Sequence, residues 1–402
     1  MKAVRLRKNF AKLELQVLTF LAVLYYILNI LFPTDYSLYA ANANRIYPQI
    51  VMGLMAVLSM AIFVISIKRI WINPVMRGFL ILLILAFIYI LYPMNPVDNL
   101  MYVLRTYMAI IVMFALYVLL LRIRDTGYWM TYVYVIYAFQ VAFSLATLIM
   151  DKASFVGGAT EQFDSNAGFF LITCVPLALT IPIKRARLYI YCLLVLACIY
   201  SGQRSAALAA VVSFPFCISY LRPCIKKNDI FIFLVLAVVV ALPILFDAVQ
   251  NIHERNQHDL DRGDIGSGRL IFWGIVIMDY VKQGVAHMVV GNGTNSVVTL
   301  LERTYGLAIG AHNGWLDILY TFGIIGIAVY ATIQFRLVFR NRKIGRQVPM
   351  MKNMYFILFT IFFVKSVTSH GYFAIDMIPF LTVVAMAEGL ADKKKLKKAE
   401  TV

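Results

Sequence analysis

Arg204 is the first residue whose type and setting indicate chemistry. It lies in the polar turn Ser201–Ser205, which reads SGQRS and joins two apolar runs. An arginine and Ser205 at the start of a helix suit a phosphate, because the first amides of a helix point at an anion and a guanidinium binds phosphate bidentately. The alternative is an arginine whose guanidinium reaches the lipid headgroups. From these residues alone, the two interpretations are equally favoured.

Arg269 is the second candidate. It follows the flexible segment 266–268, which reads GSG, and precedes an aromatic-rich run. A planar guanidinium is the side chain best suited to holding two oxygens of a diphosphate. Taken alone, the residue is more typical of a charge on a loop surface. Apolar residues recur at helical spacing across 269–281, so we predict a helix that starts at Arg269.

The segment Ala311–Leu319 reads AHNGWLDIL and leads back into an apolar run. Its histidine, His312, has a near-neutral pKa and suits either a general base or a hydrogen-bond donor to phosphate. Asn313 and Asp317 accompany it as candidate substrate-binding residues. A carboxylate one turn inside a membrane span is costly and is usually partnered. The first interpretation of Asp317 is therefore an ion pair with an outer-end arginine such as Arg105, and the second is a direct role at the site.

No metal or cofactor is assigned. His253 and His258 flank Glu254, but their spacing misses the zinc-binding His-Glu-x-x-His pattern by one residue.

The elements that position these residues are membrane helices. The chain has 402 residues, is 62% hydrophobic and has a net charge of +17. Its apolar runs of about 20 residues are long enough to cross a bilayer, and helices satisfy the backbone in lipid. We predict an all-α polytopic fold of about twelve spans: 13–32, 46–67, 77–92, 104–121, 129–150, 167–183, 188–201, 204–221, 229–246, 313–335, 353–369 and 376–391.

The positive charge is explained by topology. Twelve spans place the basic clusters between spans on one side, as the positive-inside rule requires, so a nucleic-acid partner is excluded. Both termini are then cytoplasmic, and the turn 201–204 and the loop 247–312 face outward. We predict one transmembrane domain over 1–402. Its long, partly helical outward loop is predicted to form the lid of the active site, because a connection of this length is uncommon without a function.

Four segments in this order resemble the O-antigen ligase and polymerase family (WaaL- and Wzy-like): SGQRS at 201–205, SGR at 267–269, GNG at 291–293, and HNGWL at 312–316 followed by Gly323 and Gly326. The resemblance covers the second half of the chain, the number of spans and the long outward loop. It implies a fold like that of GT-C type glycosyltransferases.

The resemblance also implies an activity and a site. The family uses undecaprenyl diphosphate-linked glycans at the outer face of the bacterial inner membrane and requires no metal. Its two diphosphate-binding arginines map onto Arg204 and Arg269, and its functional histidine maps onto His312. The implied reaction is a metal-independent, inverting transfer in which an acceptor hydroxyl displaces undecaprenyl diphosphate.

The acceptor separates a polymerase from a ligase. A ligase transfers to lipid A–core, which carries phosphates and favours a basic outward loop. Residues 247–311 hold seven acidic and five basic residues, which favours a lipid-linked glycan acceptor and hence a polysaccharide polymerase. Ligation to lipid A–core, a lipid-linked oligosaccharide flippase or other transporter, and a non-enzymatic assembly partner remain alternatives. Other envelope-assembly proteins, such as a flippase and a chain-length regulator, are further expected partners beside the lipid bilayer.

Overall fold

The structure is a computed structural model that describes residues 2–31, 46–91, 96–156, 165–225, 253, 269–369 and 373–400. It is 88% helical and has no strands in the part of the chain it describes. The helices are α1 (Lys2–Leu31), α2 (Ile46–Val64), α3 (Ile67–Ile72), α4 (Pro74–Ile88), α5 (Pro96–Arg122), α6 (Thr126–Val156), α7 (Ala167–Ala178), α8 (Lys184–Tyr200), α9 (Arg204–Leu221), α10 (Arg269–Lys282), α11 (Val285–Val290), α12 (Ser296–Tyr305), α13 (Gly314–Gln347), α14 (Met354–Thr368) and α15 (Ile378–Glu400).

Eight helices in the described ranges are long and apolar enough to cross a membrane: α1, α2, α4, α5, α6, α9, α13 and α14. The prediction of an all-α polytopic membrane protein is therefore confirmed. A helix also lies at each of the other predicted spans except 229–246, which is outside the described residues. The count of twelve stays a prediction.

The centre of the bundle is α5. Its apolar stretch is 89% buried, compared with 39% for the corresponding stretch of α6, and α15 packs along it. A helix that is apolar on all sides belongs inside other helices, which explains this position. Helix α1 packs on α2 and on α6, and helix α14 packs on α9 and on α13.

One apolar helix of the bundle is short. α7 has 12 residues, so it extends about 18 Å, less than the roughly 30 Å of bilayer hydrocarbon. The predicted span 167–183 is wrong at its end, because the helix stops at Ala178, two residues after Pro176.

The largest departure from the predicted spans is inside α13. Gly323 has φ 65° and ψ −159°, which breaks the helix. The rings of Trp315 and Tyr330 are 5.1 Å apart, although fifteen residues of straight helix rise about 22 Å. The chain therefore reverses at Gly323, and residues 314–322 form a half-helix that folds back along the span 324–347. The single span predicted over 313–335 is wrong in this respect, because a glycine in an apolar run gives no local sign of a reversal.

Candidate active site

The turn that carries Arg204 is the predicted tight connection between two helices. α8 ends at Tyr200 and α9 begins at Arg204, with Gly202 at φ 71° between them. The amide of Ser165, just before α7, donates to the carbonyl of Ser201 at 2.9 Å. Arg204 is half-buried in the first turn of α9. The prediction of a helix start at this residue is confirmed.

Arg269 lies against the residue next to Arg204. Its Nη1 donates to the carbonyl oxygen of Thr368 at 2.8 Å and to Oγ of Ser205 at 3.4 Å. The Ser205 hydroxyl donates to the same Thr368 carbonyl at 3.2 Å. Arg269 lies on α10, so the predicted helix over 269–281 is confirmed, whereas its start stays a prediction because the residues before 269 lie outside the described ones. The C-terminal end of α14, which the predicted topology places outward, therefore brings together the first turn of α9 and Arg269 of α10.

The segment of His312 reaches the same end of α14. The amide of Gly314 donates to the carbonyl of Ser369 at 3.0 Å, one residue beyond the carbonyl that Arg269 contacts. Asn313 caps the half-helix 314–322, its side-chain oxygen accepting from the amides of Trp315 and Leu316 at 3.0 Å and 3.2 Å. The last carbonyls of a helix carry partial negative charge, which stabilises nearby cations. Arg204, Arg269 and His312 are thus placed around one helix end.

The backbone at His312 is unusual. Its φ is 52°, a left-handed conformation that costs about 1–2 kcal/mol for a residue with a Cβ. Two bonds hold the preceding residue, Ala311: its carbonyl accepts from Nε1 of Trp273 at 2.8 Å, and its amide donates to Oδ1 of Asp317 at 3.0 Å. The strained turn is therefore fixed from α10 and from α13.

Asp317 is fully buried, and its bond to the Ala311 amide makes it a support for the turn that presents His312. Arg105 lies on α5, half-buried. One turn further along α5, the amide of Ala109 donates to the carbonyl of Phe373 at 2.9 Å. Arg105 is therefore near the segment before α15. The pairing of Arg105 with Asp317 stays a prediction.

A buried ion pair below the site was not predicted. Nζ of Lys365 lies 2.7 Å from Oδ2 of Asp376, and both side chains are at most 10% exposed. The carbonyl of Asp376 accepts from Gln140 on α6 and from Thr173 on α7, each at 2.7 Å. Lys365 is one turn before Ser369 on α14. The pair therefore ties the last turns of α14 to the segment before α15.

The GNG motif at 291–293 docks on the reversal of α13. The break at Gly323 takes the carbonyls of Tyr320 and Thr321 out of the helical pattern, and they accept from the amides of Asn292 and Gly293 at 2.9 Å and 3.0 Å. A Cβ on Gly291 would collide with the Thr321 carbonyl, and one on Gly323 would collide with the Val289 carbonyl. The predicted turn at 291–293 is confirmed, and its contact with Gly323 explains why the two glycine segments occur together.

Residues 189–331 match the Wzy_C family model, which is described as O-antigen ligase. The match supports an O-antigen ligase/polymerase-like family and a glycosyltransferase-like enzyme activity. The matched range contains Arg204, Arg269, His312 and the two glycines in contact, Gly291 and Gly323. Thr368 and Ser369 lie beyond it. No curated protein sequence matches the chain at a significant level.

Proposed function

We propose that this membrane protein is a polysaccharide polymerase that transfers a glycan from undecaprenyl diphosphate to a lipid-linked glycan acceptor at the outer face of the bacterial inner membrane, with both termini cytoplasmic. The O-antigen ligase domain supports activity of the ligase/polymerase type. The observation that carries the proposal is the convergence of Arg269, Ser205 and the His312 segment on the outer end of α14.

The chemistry follows from where charge develops. The acceptor oxygen forms a bond to the anomeric carbon, while the bond from that carbon to the diphosphate oxygen breaks. Negative charge grows on the departing diphosphate, and stabilising it is the largest catalytic requirement. Arg204 and Arg269 supply that stabilisation without a metal. Arg269 already donates to two neutral oxygens, of Thr368 and Ser205, which phosphate oxygens would replace with stronger, charge-assisted bonds.

His312 has two roles that its position permits. It accepts the proton of the acceptor hydroxyl, or it donates a hydrogen bond to the diphosphate. We propose a single inversion at the anomeric carbon, because a covalent intermediate requires a second carboxylate close to the sugar. Asp317 does not suit that role, since it is fully buried and accepts from the Ala311 amide.

The arginines are tested in proteoliposomes with a lipid-linked donor. We expect Arg204→Ala and Arg269→Ala each to lower transfer by about 10²–10³-fold, the usual cost of removing one charge-stabilising donor. Arg303→Ala is the matched control, because this arginine is exposed on α12 of the same outward loop and should leave the rate unchanged. Protein levels in the membrane should stay near normal in all three. Full activity in both site variants would remove the arginines from the reaction.

The acceptor is tested with one purified lipid-linked repeat and no lipid A–core. A polymerase joins repeats into a ladder of products. A ligase leaves the repeat unchanged and transfers it only when lipid A–core is added. The excess of acidic residues in the outward loop favours the ladder. The flippase or transporter alternative predicts movement of the repeat across the bilayer with no change in its mass. Transporters also bind at mid-membrane, whereas Arg204, Arg269 and His312 meet at helix ends.

A further inference from the structure

We propose that α10 is embedded in the outer leaflet, where one of its faces contacts lipid hydrocarbon directly. This face, which we call the apolar stripe, consists of Leu270, Ile271, Ile277, Met278 and Val281. The inference does not depend on the transferase reaction.

The stripe is exposed although it is apolar. Its five side chains are 45–66% exposed in the structure, and their spacing of seven, eight and eleven residues places them on one helical face. The opposite face of α10 is apolar as well: Phe272 and Val276 pack in a separate small core with residues of α12 and α13. In water, an exposed apolar face of this length beside a buried one is unusual and marks an interaction surface.

A neighbouring helix of the same unit behaves differently. α12 packs Val297 and Leu301 into the same small core, and it exposes Glu302 and Arg303. Two helices that share one core therefore present different surfaces: α12 exposes charged residues, whereas the exposed face of α10 is apolar as far as Val281 and becomes charged only at its last residue, Lys282. A unit placed at the membrane boundary requires this division, because charged side chains are costly in hydrocarbon and apolar ones are favourable there.

The depth of α10 follows from its contacts with the reversed part of α13. Nε1 of Trp273 bonds Ala311, and Oδ2 of Asp279 accepts from the Tyr320 hydroxyl at 2.6 Å. α10 therefore runs beside the half-helix 314–322 in the same direction. That half-helix folds back on the span 324–347 as far as Tyr330, which is about 10 Å of helical rise below Gly323. The stripe thus lies level with the outer part of a membrane span.

The surfaces next to the stripe are those of membrane helices. Ile324 and Ile325, at the start of the span 324–347, are 57% and 43% exposed. Val285 of α11 is 76% exposed, and the last residue of α11, Val290, accepts a hydrogen bond from Tyr89 at the outer end of α4. The stripe therefore continues the lipid-facing surface of the bundle, which identifies its occupant as acyl chains.

Spin labels test the proposal in the reconstituted full-length protein. Ile277→Cys and Val281→Cys place a nitroxide on the stripe, and Glu302→Cys on α12 is the matched control. Cys192→Ser is the background, because the other four cysteines are buried. Collision rates are measured with oxygen, which concentrates in hydrocarbon, and with a nickel chelate, which stays in water. Retained liposome incorporation shows that the labelled proteins fold.

We expect the ratio of oxygen to nickel collisions to be several-fold higher at 277 and 281 than at 302. Nickel collisions at 277 and 281 equal to those at 302 would place the stripe in water and overturn the proposal. Low collision rates with both reagents would also overturn it, since they would show that another part of this chain or a second copy covers the stripe.

Discussion

The two ends of the bundle hold charged groups in different ways. At the end predicted to be cytoplasmic, which we call the inner end, the fully buried Glu388 accepts hydrogen bonds from Arg340, from Tyr355 at 2.7 Å and from Asn73 at 2.9 Å. At the opposite end, predicted to face outward and called the outer end, Arg269 donates to oxygens of Thr368 and Ser205. A cation bonded to a buried carboxylate holds helices together. A cation that donates to a backbone carbonyl and a hydroxyl suits the proposed binding of phosphate, so we propose that the inner cluster supports the fold and that the outer one supports binding.

The inner cluster extends to Asp392. Burial would raise the pKa of this carboxyl, but hydrogen bonds from Lys395, Asn73 and Tyr117 outweigh burial and hold the pKa below its usual value. Asp392 is thus charged at neutral pH and tied to α5 and to the start of α4. The result is a polar layer joining α4, α5, α13, α14 and α15 at the cytoplasmic end of the predicted topology.

The largest effect that separates the two ends is expected at Glu388. Glu388→Ala leaves Arg340 as a buried charge without its carboxylate, which costs about 3–5 kcal/mol of unfolding free energy. Denaturant unfolding in detergent micelles measures this loss. Arg342→Ala is the control, because Arg342 is exposed on the same helix and should change stability little. An unchanged unfolding midpoint for Glu388→Ala would contradict a supporting role for the inner cluster.

Gly323→Ala tests whether the reversal of α13 positions the outer site. The added methyl meets the Val289 carbonyl, and overpacking of this kind costs about 1–3 kcal/mol. We expect the loss in transfer rate, expressed as activation free energy, to exceed the loss in free energy of unfolding, because the half-helix that follows His312 is displaced. Gly274→Ala on α10 is the matched control: a Cβ there meets nothing within 4 Å, and alanine is the better helix former. Equal transfer rates for Gly323→Ala and Gly274→Ala would show that the reversal does not position the site.

A smaller effect is expected for Arg269→Lys. Lysine keeps the positive charge but loses the planar fork, so we expect the transfer rate to fall about tenfold, which corresponds to about 1.4 kcal/mol. Stability should stay near that of the unchanged protein, in contrast to the inner cluster. Initial rates across donor concentrations measure the effect. A lysine variant as active as the arginine protein would show that only charge matters at this position.

The smallest effect compares two substitutions of His312. Glycine adopts φ 52° without a steric penalty, whereas alanine does not, so His312→Gly should be about 1 kcal/mol more stable than His312→Ala. Both variants lose the imidazole and should show the same low transfer rate. Unfolding midpoints and rates measured side by side separate strain from chemistry. A lower midpoint for the glycine variant would show that the left-handed backbone is not what limits stability here.

Local patterns predicted much of this architecture. Apolar runs marked the membrane helices, the polar turn at 201–204 marked the helix start at Arg204, and the amphipathic run after Gly268 marked the helix that contains Arg269. The order of motifs predicted that the three candidate residues lie together, and the outward side of that position stays a prediction. The roles assigned to them stay predictions.

What the sequence did not reveal depends on contacts between distant residues. The reversal at Gly323 requires amides from Asn292 and Gly293, thirty residues earlier, and apolar periodicity continues through it. The acceptor for Arg269 is a backbone carbonyl, which any residue at position 368 supplies. Glu388 lies in an apolar run whose pattern does not identify its partner, Arg340, from another helix.

The contact between Gly291 and Gly323 limits how this sequence can diverge. Each position is closed by main-chain atoms of the other segment, so neither neighbour has a side chain that could shrink to accommodate a larger residue. Compensating substitutions, which let most packed pairs drift over time, are not open to this pair. In any collection of descendants that keeps the reversal, we expect both positions to remain glycine while the residues around them change freely.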